Sequence, residues 1–320
     1  MGHDKLRKFA ENETFACLLQ PDASIVLDKS GDPSLGLRLN DHPIKGRWNG
    51  TMFTKDQPIV LELGCGKGEY TIDLSRRIPD RNYIGVDIKG ARLWRGAKTA
   101  TEEGLVNVAF LRTRIEFIEA FFGPGEVSEI WLTFSDPQLK SENSRLTSPL
   151  FLERYRKFLR PGGIIHLKTD SRFLHEYSKA VALENGLTIL AATTDLYGSE
   201  GVFPPATVAT LGHVRGGTAG EAGGGVRGAD VERGEYSLGA ELFEVQTFYE
   251  KMFLSQGYKI TSLAFTIDHE GPYKHPAGFD SDYWRSIEGP RRFSHAPSRS
   301  FGSAPARSFD SAQEPDSSQR

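Results

Sequence analysis

A run of glycines beside a single carboxylate is the part of the chain best suited to holding a ligand. Gly64, Gly66 and Gly68 alternate with other residues directly after an apolar segment that carries Glu62. Glycine has no side chain, so the backbone can pass close beneath a ligand at these positions. The helix predicted to begin next would point its free N–H groups at the same ligand. The spacing is not that of the Gly-x-Gly-x-x-Gly dinucleotide fingerprint, which disfavours a dehydrogenase.

A second carboxylate, Asp87, stands at the end of the next apolar segment. It follows the glycines by roughly 20 residues, the interval at which an acidic residue binds ribose hydroxyls in nucleotide-binding α/β proteins. Asp is also a favoured helix N-cap, and residues 89–101 have a helical pattern. The two roles are compatible with each other, and ribose binding is the hypothesis that we favour.

The third candidate is Asp136, which follows a predicted strand at 129–134 and precedes Pro137. Ligands of open α/β sheets bind beyond the carboxyl ends of the strands. Proline restricts the residue before it to an extended conformation and so limits where the Asp136 carboxylate can point. An Asp-Pro pair at a strand end is also a common turn, so this pattern alone leaves the two explanations equal.

Alternating strands and helices must position these carboxylates. Apolar segments predict strands at 59–63, 82–86, 107–111, 129–134, 163–168, 187–193 and 258–266. Helical patterns occupy 69–77, 89–103, 114–122, 148–159, 171–185 and 244–256. Such alternation predicts an α/β fold with a mostly parallel, seven-stranded sheet and helices on both of its faces.

The bulk properties of the chain exclude several classes of protein. The 320 residues contain no apolar run of the roughly 18 residues that a membrane helix needs, so no membrane span is expected. The N-terminal residues 1–9 are charged and lack the apolar centre of a signal peptide, which predicts a cytoplasmic protein. The two cysteines, Cys17 and Cys65, form no metal-ligand pattern, and we expect no bound metal.

Composition divides the chain into a core and three additions. Residues 58–268 carry the alternating pattern, and residues 1–57 are expected to pack as an extension on this core. A glycine-rich stretch at about 198–240 has few large apolar side chains, so we predict a flexible insertion there. Residues 269–320 are rich in Ser, Pro and Arg and are predicted to form a disordered, dispensable tail.

Several motifs follow one another in a fixed order along the chain. They are Glu62-Leu-Gly-Cys-Gly-Lys-Gly68, Gly85-Val-Asp87, Phe134-Ser-Asp-Pro137, His166-Leu-Lys-Thr-Asp170 and Thr247-Phe-Tyr-Glu250. Together they resemble the bacterial tRNA (guanine-N7-)-methyltransferase family over about residues 1–268, the insertion excepted. The resemblance implies a Rossmann-like class I methyltransferase fold and S-adenosyl-L-methionine as cofactor. It also implies tRNA as partner and 7-methylguanosine in the variable loop as product.

The same resemblance assigns individual residues to the cofactor and to the substrate. It implies cofactor contacts at Glu62, Gly64, Gly66, Gly68, Asp87, Arg114 and Asp136. It implies substrate contacts at Lys140, Asp170, Thr247, Phe248, Tyr249 and Glu250. Asp136 matches the aspartate next to the methyl donor and is the expected catalytic residue. Arg114 departs from the family, which often has an acidic residue near the adenine at this position.

The chemistry of guanine suits such a set of carboxylates. Guanine N7 has an in-plane lone pair and no proton, so its attack on a sulfonium methyl needs no strong general base. Catalysis then depends on alignment and on stabilising the cation that forms on the ring. Asp136, Asp170 and Glu250 could do both, because carboxylates accept hydrogen bonds from the N1–H and N2–H₂ edge. Adenine would leave such buried acceptors unpaired.

Two features depart from the family pattern. Ser135 stands where a proline is usual, and the loop 139–145 carries fewer basic residues than the loop of the family. Fewer phosphate contacts predict weaker tRNA binding. An active enzyme is the preferred hypothesis, and the alternative is a catalytically weakened RNA-binding protein on a methyltransferase fold. The sequence leaves the oligomeric state open, with a monomer as the simplest expectation.

Overall fold

The computed structural model describes residues 2–28, 38–198 and 240–288. The insertion predicted at about 198–240 therefore lies almost entirely outside the described residues. The strands are β1 Leu18–Leu19, β2 Ile59–Leu63, β3 Asn82–Asp87, β4 Val108–Arg112, β5 Val127–Thr133, β6 Leu159–Thr169, β7 Ile189–Thr193 and β8 Thr261–Thr266. The α-helices are α1 Gly2–Asn12, α2 Ala23–Val26, α3 Trp48–Thr51, α4 Glu69–Arg77, α5 Gly90–Glu102, α6 Pro149–Tyr155, α7 Arg172–Glu184, α8 Ala240–Glu244, α9 Phe248–Ser255 and α10 Ser281–Ile287.

One sheet organises the described residues, with its eight strands in the order β1-β4-β3-β2-β5-β6-β8-β7. Neighbouring strands run parallel except at β8, which is antiparallel to both β6 and β7. The predicted mostly parallel α/β fold is confirmed. The predicted count of seven strands is wrong, because Leu18–Leu19 pairs with β4 at one edge of the sheet. A strand of two residues has no periodicity that a sequence could reveal.

The helices of the core match their predicted positions closely, with three differences. The predicted helix 148–159 ends at Tyr155, and Leu159 already begins β6. α4 begins and ends at the predicted residues. The segment 244–256 is divided between α8 and α9, because the Thr247 hydroxyl accepts a hydrogen bond from the Glu250 N–H at 3.2 Å and so starts a new helix. The segment 114–122 forms a short 3₁₀ helix, Ile115–Ala120, in place of an α-helix.

The two faces of the sheet have different neighbours. Leu61 and Leu63 of β2 point into the largest apolar cluster, which includes residues of α6 and α7. Val60 points the other way and packs with Tyr70 and Leu74 of α4. Successive side chains of a strand alternate between faces, so Glu62 shares the face of Val60 and lies beneath α4. The fold thus places a carboxylate inside the protein, under the start of a helix.

Residues 269–288 are ordered and pack on the core, which contradicts the predicted start of the tail at 269. Tyr273 is buried, and the ring of Phe279 makes edge contacts with Phe173 and Tyr177. Arg285 of α10 donates to the carbonyl of Leu139 at 3.1 Å. The prediction of disorder was based on the polar composition of this segment. It overlooked a few aromatic side chains, each of which buries a large apolar area. The rest of the predicted tail, 289–320, lies outside the described residues.

The N-terminal helix lies along α5. The amide nitrogen of the Asn12 side chain donates to the Gly90 carbonyl at 3.0 Å, and the Trp94 indole N–H donates to the Glu11 carboxylate at 2.6 Å. Trp48 of α3 is fully buried, and its indole N–H donates to the Phe121 carbonyl at 2.8 Å. Among the described residues, no helix is long and apolar enough to cross a membrane.

Candidate active site

The glycine loop, residues 64–68, joins β2 to α4 at the carboxyl edge of the sheet. Gly64, Gly66 and Gly68 all have left-handed φ angles, of 81°, 59° and 71°. A Cβ atom on Gly68 would lie 2.5 Å from the Phe110 ring, whereas nothing lies within 4 Å of a Cβ on Gly64 or Gly66. The first two glycines therefore line an open cradle, and the third lets the loop pack against β4.

Asp87 fixes the shape of this loop. One carboxylate oxygen accepts from the Gly66 N–H at 3.0 Å, and the other accepts from the Lys89 N–H at 2.7 Å. The N-cap of α5 is Lys89, so the structure does not support the explanation of Asp87 as a helix cap. The carboxylate lies at the rim of the glycine cradle, where the sequence predicted a ribose-binding group.

Glu62 is buried beneath the loop, with 4% of its surface exposed. One carboxylate oxygen accepts from the N–H and the hydroxyl of Thr71, at 2.8 and 2.5 Å. The other accepts from the Thr133 hydroxyl at 2.6 Å. Burial raises the pKa of Glu62 to about 7, although these hydrogen bonds act in the opposite direction. Sequence reasoning missed both threonines, because only the register of the strands brings Thr133 to Glu62.

Asp136 lies on a turn whose backbone is strained on both sides. The flanking Phe134 and Gln138 have φ angles of 52° and 48°. A residue with a Cβ is destabilised by about 1–2 kcal/mol in this left-handed region. Such strain is often found at functional sites. The Asp136 side chain is exposed and accepts from the Gln138 N–H at 2.9 Å.

Neighbouring contacts hold the Asp136 turn in place. The N–H of Phe134 donates to the carbonyl of Lys168 at 2.8 Å. The ring of Phe134 stacks on Phe253 of α9, with 6.1 Å between the ring centroids. The turn is therefore fastened to β6 by its backbone and to α9 by its side chain.

The other predicted residues of this edge are spread around the turn. Lys140 is exposed, and Asp170 is half-buried directly after β6. Because Thr133 pairs with Lys168 in the sheet, the chain leaves β5 and β6 at the same edge, toward Asp136 and Asp170. Arg114 is exposed at the end of the loop after β4 and forms an ion pair with Glu116 at 3.2 Å. The acidic side chain of Glu116 thus lies beside Arg114, and the sequence analysis missed this glutamate.

Two residues of the Thr247–Glu250 motif face outward beside the glycine loop. Phe248 and Tyr249 are 57% and 38% exposed. The Phe248 N–H donates to the Glu69 carboxylate at 2.8 Å. The ammonium of Lys67 lies 5.3 Å from the centroid of the Phe248 ring. These aromatic side chains are therefore accessible and close to the cradle.

Glu250, by contrast, faces inward. Its carboxylate lies 2.8 Å from the Lys168 ammonium, and neither side chain is exposed. The Tyr197 hydroxyl donates to the same oxygen at 2.7 Å, and Lys168 also donates to the carbonyls of Leu242 and Val245, at 2.6 and 3.1 Å. A buried carboxylate has no surface to offer a base, so the expected substrate contact at Glu250 does not fit this arrangement. Lys168 lies inside a strand of the sheet, and a buried charge requires a partner. This lysine could therefore have indicated that Glu250 is its buried partner, and the sequence analysis overlooked it.

Comparison with known proteins agrees with this geometry. Residues 56–208 match a family model described as a putative methyltransferase. The chain is 41% identical over 293 residues to the tRNA (guanine-N(7)-)-methyltransferase of Bacteroides fragilis, an alignment that covers 91% of this chain and 97% of the relative. For the protein of the same name from Christiangramia forsetii, the identity is 44% over 266 residues, with 82% and 98% covered. For that of Bacillus subtilis it is 37% over 162 residues, with 50% and 76% covered. Identity of this extent establishes that the chain belongs to the tRNA (guanine-N7-)-methyltransferase family.

Proposed function

We propose that this chain methylates N7 of a guanine in the variable loop of tRNA, with S-adenosyl-L-methionine as the methyl donor. The observation that carries the proposal is the pairing of an open glycine cradle with a strained, carboxylate-bearing turn at one edge of the sheet. Membership of the family supports the substrate class and does not favour the alternative of a weakened RNA-binding protein. A cytoplasmic location suits a tRNA substrate.

The glycine cradle fits the cofactor. The space above Gly64 and Gly66, which a Cβ would fill, allows a ligand to approach the backbone. Each carboxylate oxygen can accept more than one hydrogen bond, so Asp87 can bind ribose hydroxyls while it holds Gly66. Glu62 supports the loop from below, through its hydrogen bonds to Thr71 at the start of α4 and to Thr133 at the end of β5. The cofactor, when bound, supplies a methyl group on a positively charged sulfur.

We assign the adenine end of the cofactor to the loop after β4. Arg114 is exposed there and forms its ion pair with Glu116. The family often has an acidic residue at this point of the fold, and Glu116 supplies that charge from two positions away. The planar guanidinium of Arg114 then offers a surface on which an aromatic ring can stack.

Asp136 acts in alignment and in charge stabilisation. The lone pair of N7 needs no deprotonation, so the carboxylate of Asp136 has no proton to remove. A negative charge beside the ring stabilises the cation that forms as the methyl arrives. The strained turn restricts the carboxylate to one place, and reactions of this kind depend strongly on the positions of the reacting groups.

The substrate-side residues divide into groups for the base and for the backbone. Asp170 follows β6 on the Asp136 edge and is positioned to accept from the N1–H and N2–H₂ edge of guanine. Phe248 and Tyr249 present aromatic faces, on which an unstacked RNA base can lie. Lys140 is exposed and suits a phosphate group. Thr247 supports them indirectly, since its hydroxyl caps α9.

The direct test is nucleoside analysis. Purified protein is incubated with unmodified total tRNA and methyl-labelled S-adenosyl-L-methionine, and the tRNA is then digested to nucleosides. We expect label in 7-methylguanosine and none in the other nucleosides. Tight tRNA binding without any label would support the alternative of an RNA-binding protein. Label in a different nucleoside would refute the assignment to guanine N7.

A further inference from the structure

Helix α9 contacts both halves of the candidate active site. At its N-terminus, the Phe248 N–H donates to the carboxylate of Glu69, the residue that follows the glycine loop, at 2.8 Å. Five residues later, Phe253 stacks on Phe134, which begins the Asp136 turn. The position of α9 therefore helps to set where the glycine loop lies relative to the Asp136 turn.

Lys168 and Glu250 anchor this helix from beneath. The Lys168 ammonium binds the Glu250 carboxylate of α9 at 2.8 Å and two carbonyls of the preceding segment, those of Leu242 and Val245. The main-chain carbonyl of the same lysine accepts the N–H of Phe134 at 2.8 Å. One residue of β6 thus holds α9 through its side chain and the Asp136 turn through its backbone.

Stability alone does not explain a pair of this kind. Two fully buried charges lose their hydration, and apolar side chains of similar volume are often as stabilising or more so. The second carboxylate oxygen of Glu250 is buried without a hydrogen-bond partner among the described residues, which adds a further penalty. What the ion pair provides, and apolar packing does not, is a fixed direction and distance between β6 and α9.

We propose that the Lys168–Glu250 pair is a positioning device, which holds α9 so that the glycine loop and the Asp136 turn face each other at the separation that methyl transfer requires. Both side chains are 0% exposed, so neither touches a reactant. The proposal rests on the methyl-transfer function proposed above. It gives Glu250 a role in positioning where a substrate contact was expected.

The test separates turnover from binding. Lys168→Met removes the ammonium from a side chain of similar volume, and Glu250→Gln removes the charge of its partner. For each variant we expect kcat to fall by about 10- to 100-fold, because small displacements of aligned groups have effects of this size. The dissociation constant of the cofactor should change by less than about threefold, because Asp87 and the glycine loop are not altered, and the KM for tRNA should change much less than kcat, because Lys140 and Asp170 lie outside α9.

Arg81→Met is the matched control. The Arg81 guanidinium and the Glu129 carboxylate form another ion pair of low exposure, with 2.7 Å between nitrogen and oxygen. Thr133 of β5 pairs with Lys168 in the sheet. Glu129 lies on the same face of the sheet as Thr133 but four residues earlier in β5, and is therefore away from the Asp136 edge. Breaking this pair should lower the urea midpoint of unfolding while kcat stays within about threefold of the wild-type value. An equal loss of kcat in Arg81→Met would overturn the proposal, because the effect would then follow from general destabilisation.

Coupling to α9 is the second readout. Glu69→Ala removes the acceptor that ties α9 to the glycine loop, and it acts on the same path as Lys168→Met. We expect the double variant to lose much less kcat than the product of the two single losses. Losses that multiply fully would show that Lys168 does not act through α9 and would overturn the proposal.

A milder variant covers the case in which Lys168→Met does not fold. Tyr197→Phe deletes the hydroxyl that donates to Glu250 at 2.7 Å and leaves both charges in place. We expect kcat to fall by about three- to tenfold with unchanged cofactor affinity. If the wild-type enzyme is active, and both Tyr197→Phe and Glu250→Gln fold and keep the wild-type kcat, the positioning role is refuted and the proposed function is not. An inactive wild-type enzyme would refute the proposed function instead.

Discussion

The two halves of the candidate site are built in different ways. In the cofactor half, Glu62 reaches Thr71 across nine positions of the chain, and Asp87 reaches Gly66 across 21. In the substrate half, Lys168 reaches Leu242 across 74 positions. In the first half a loop and the adjacent strands hold backbone N–H groups on two carboxylates, and its one distant contact is the neutral hydroxyl of Thr133, 71 positions from Glu62. The second half depends on buried charges that join distant segments, so the two halves should respond differently to mutation.

The largest expected effect concerns the segment 269–288, which supports the substrate half. A chain that ends at Asp268 should lose about 3–5 kcal/mol of unfolding free energy, because it lacks the buried Tyr273 and the Phe279 contacts. A chain that ends at Glu288 keeps these contacts and is the control. Urea denaturation of both truncated chains measures the difference. Equal stability of the two would show that the packed segment is dispensable.

The second prediction separates chemistry in the substrate half from binding in the cofactor half. Asp136→Asn should lower the single-turnover rate of tRNA methylation by about 100-fold or more, the usual effect of losing one preorganised charged group. The Asp136 side chain is exposed, so folding should survive. Cofactor affinity, measured by calorimetry, should change much less than the rate. A wild-type rate would reduce Asp136 to a turn residue.

The third prediction concerns pH and the cofactor half. The pKa of Glu62 is about 7 in the folded protein, above the ordinary value of 4.5, because the carboxyl is buried. The folded chain therefore binds an extra proton between these values, and the resulting stabilisation, complete below pH 4.5, is lost as the pH rises through 7. Glu62→Gln cannot titrate. Its unfolding free energy should rise relative to the wild type by about 3 kcal/mol between acidic and mildly alkaline pH.

Urea denaturation of both proteins across this pH range provides the measurement for Glu62. A difference between variant and wild type that stays constant with pH would contradict the raised pKa. A difference of the opposite sign would indicate that the Thr71 and Thr133 hydrogen bonds outweigh burial.

The smallest expected effect tests whether the glycine cradle holds a ligand. Gly66→Ala and Gly186→Ala place a methyl group at φ angles of 59° and 61°, with nothing within 4 Å of the new atom in either case. Each should lower the unfolding free energy by about 1 kcal/mol. Cofactor affinity should fall for Gly66→Ala alone. Equal affinity in both variants would place the cofactor away from the loop.

The sequence predicted the local structure around the glycine loop more completely than the contacts around Lys168 and Glu250. The glycines and Asp87 follow predicted strands at a spacing that can be recognised from the sequence alone. Both ends of α4, the helix after the glycines, were predicted correctly. The roles of Lys168 and Tyr197 could not be predicted from the sequence, because both depend on contacts with residues that are distant in the chain. The Thr247–Glu250 motif was interpreted as four substrate contacts, although a Thr followed three positions later by a Glu is also the pattern of a helix cap.

The ordered end of the chain shows the opposite kind of error. Composition from residue 269 onward is polar, and average composition predicts disorder. Packing depends on single residues, however, and Phe279 enters a slot between two aromatic rings of α7. The edge strand β1 was missed for a related reason, since two residues of backbone pairing leave no trace in the hydrophobic pattern.

The contacts of Tyr197 have a consequence for engineering the chain. Its ring packs edge-on against Phe243, with 6.1 Å between centroids, so the chain departs after Gly198 and re-enters at Ala240 close to the same point. The entropy of closing a loop between fixed ends grows only with the logarithm of its length, by about 0.6 kcal/mol per doubling. Linkers of quite different lengths could therefore join these two fixed ends at a similar entropic penalty, so a fluorescent label or a second domain joined between Gly198 and Ala240 should leave the packing of Tyr197 on Phe243 intact.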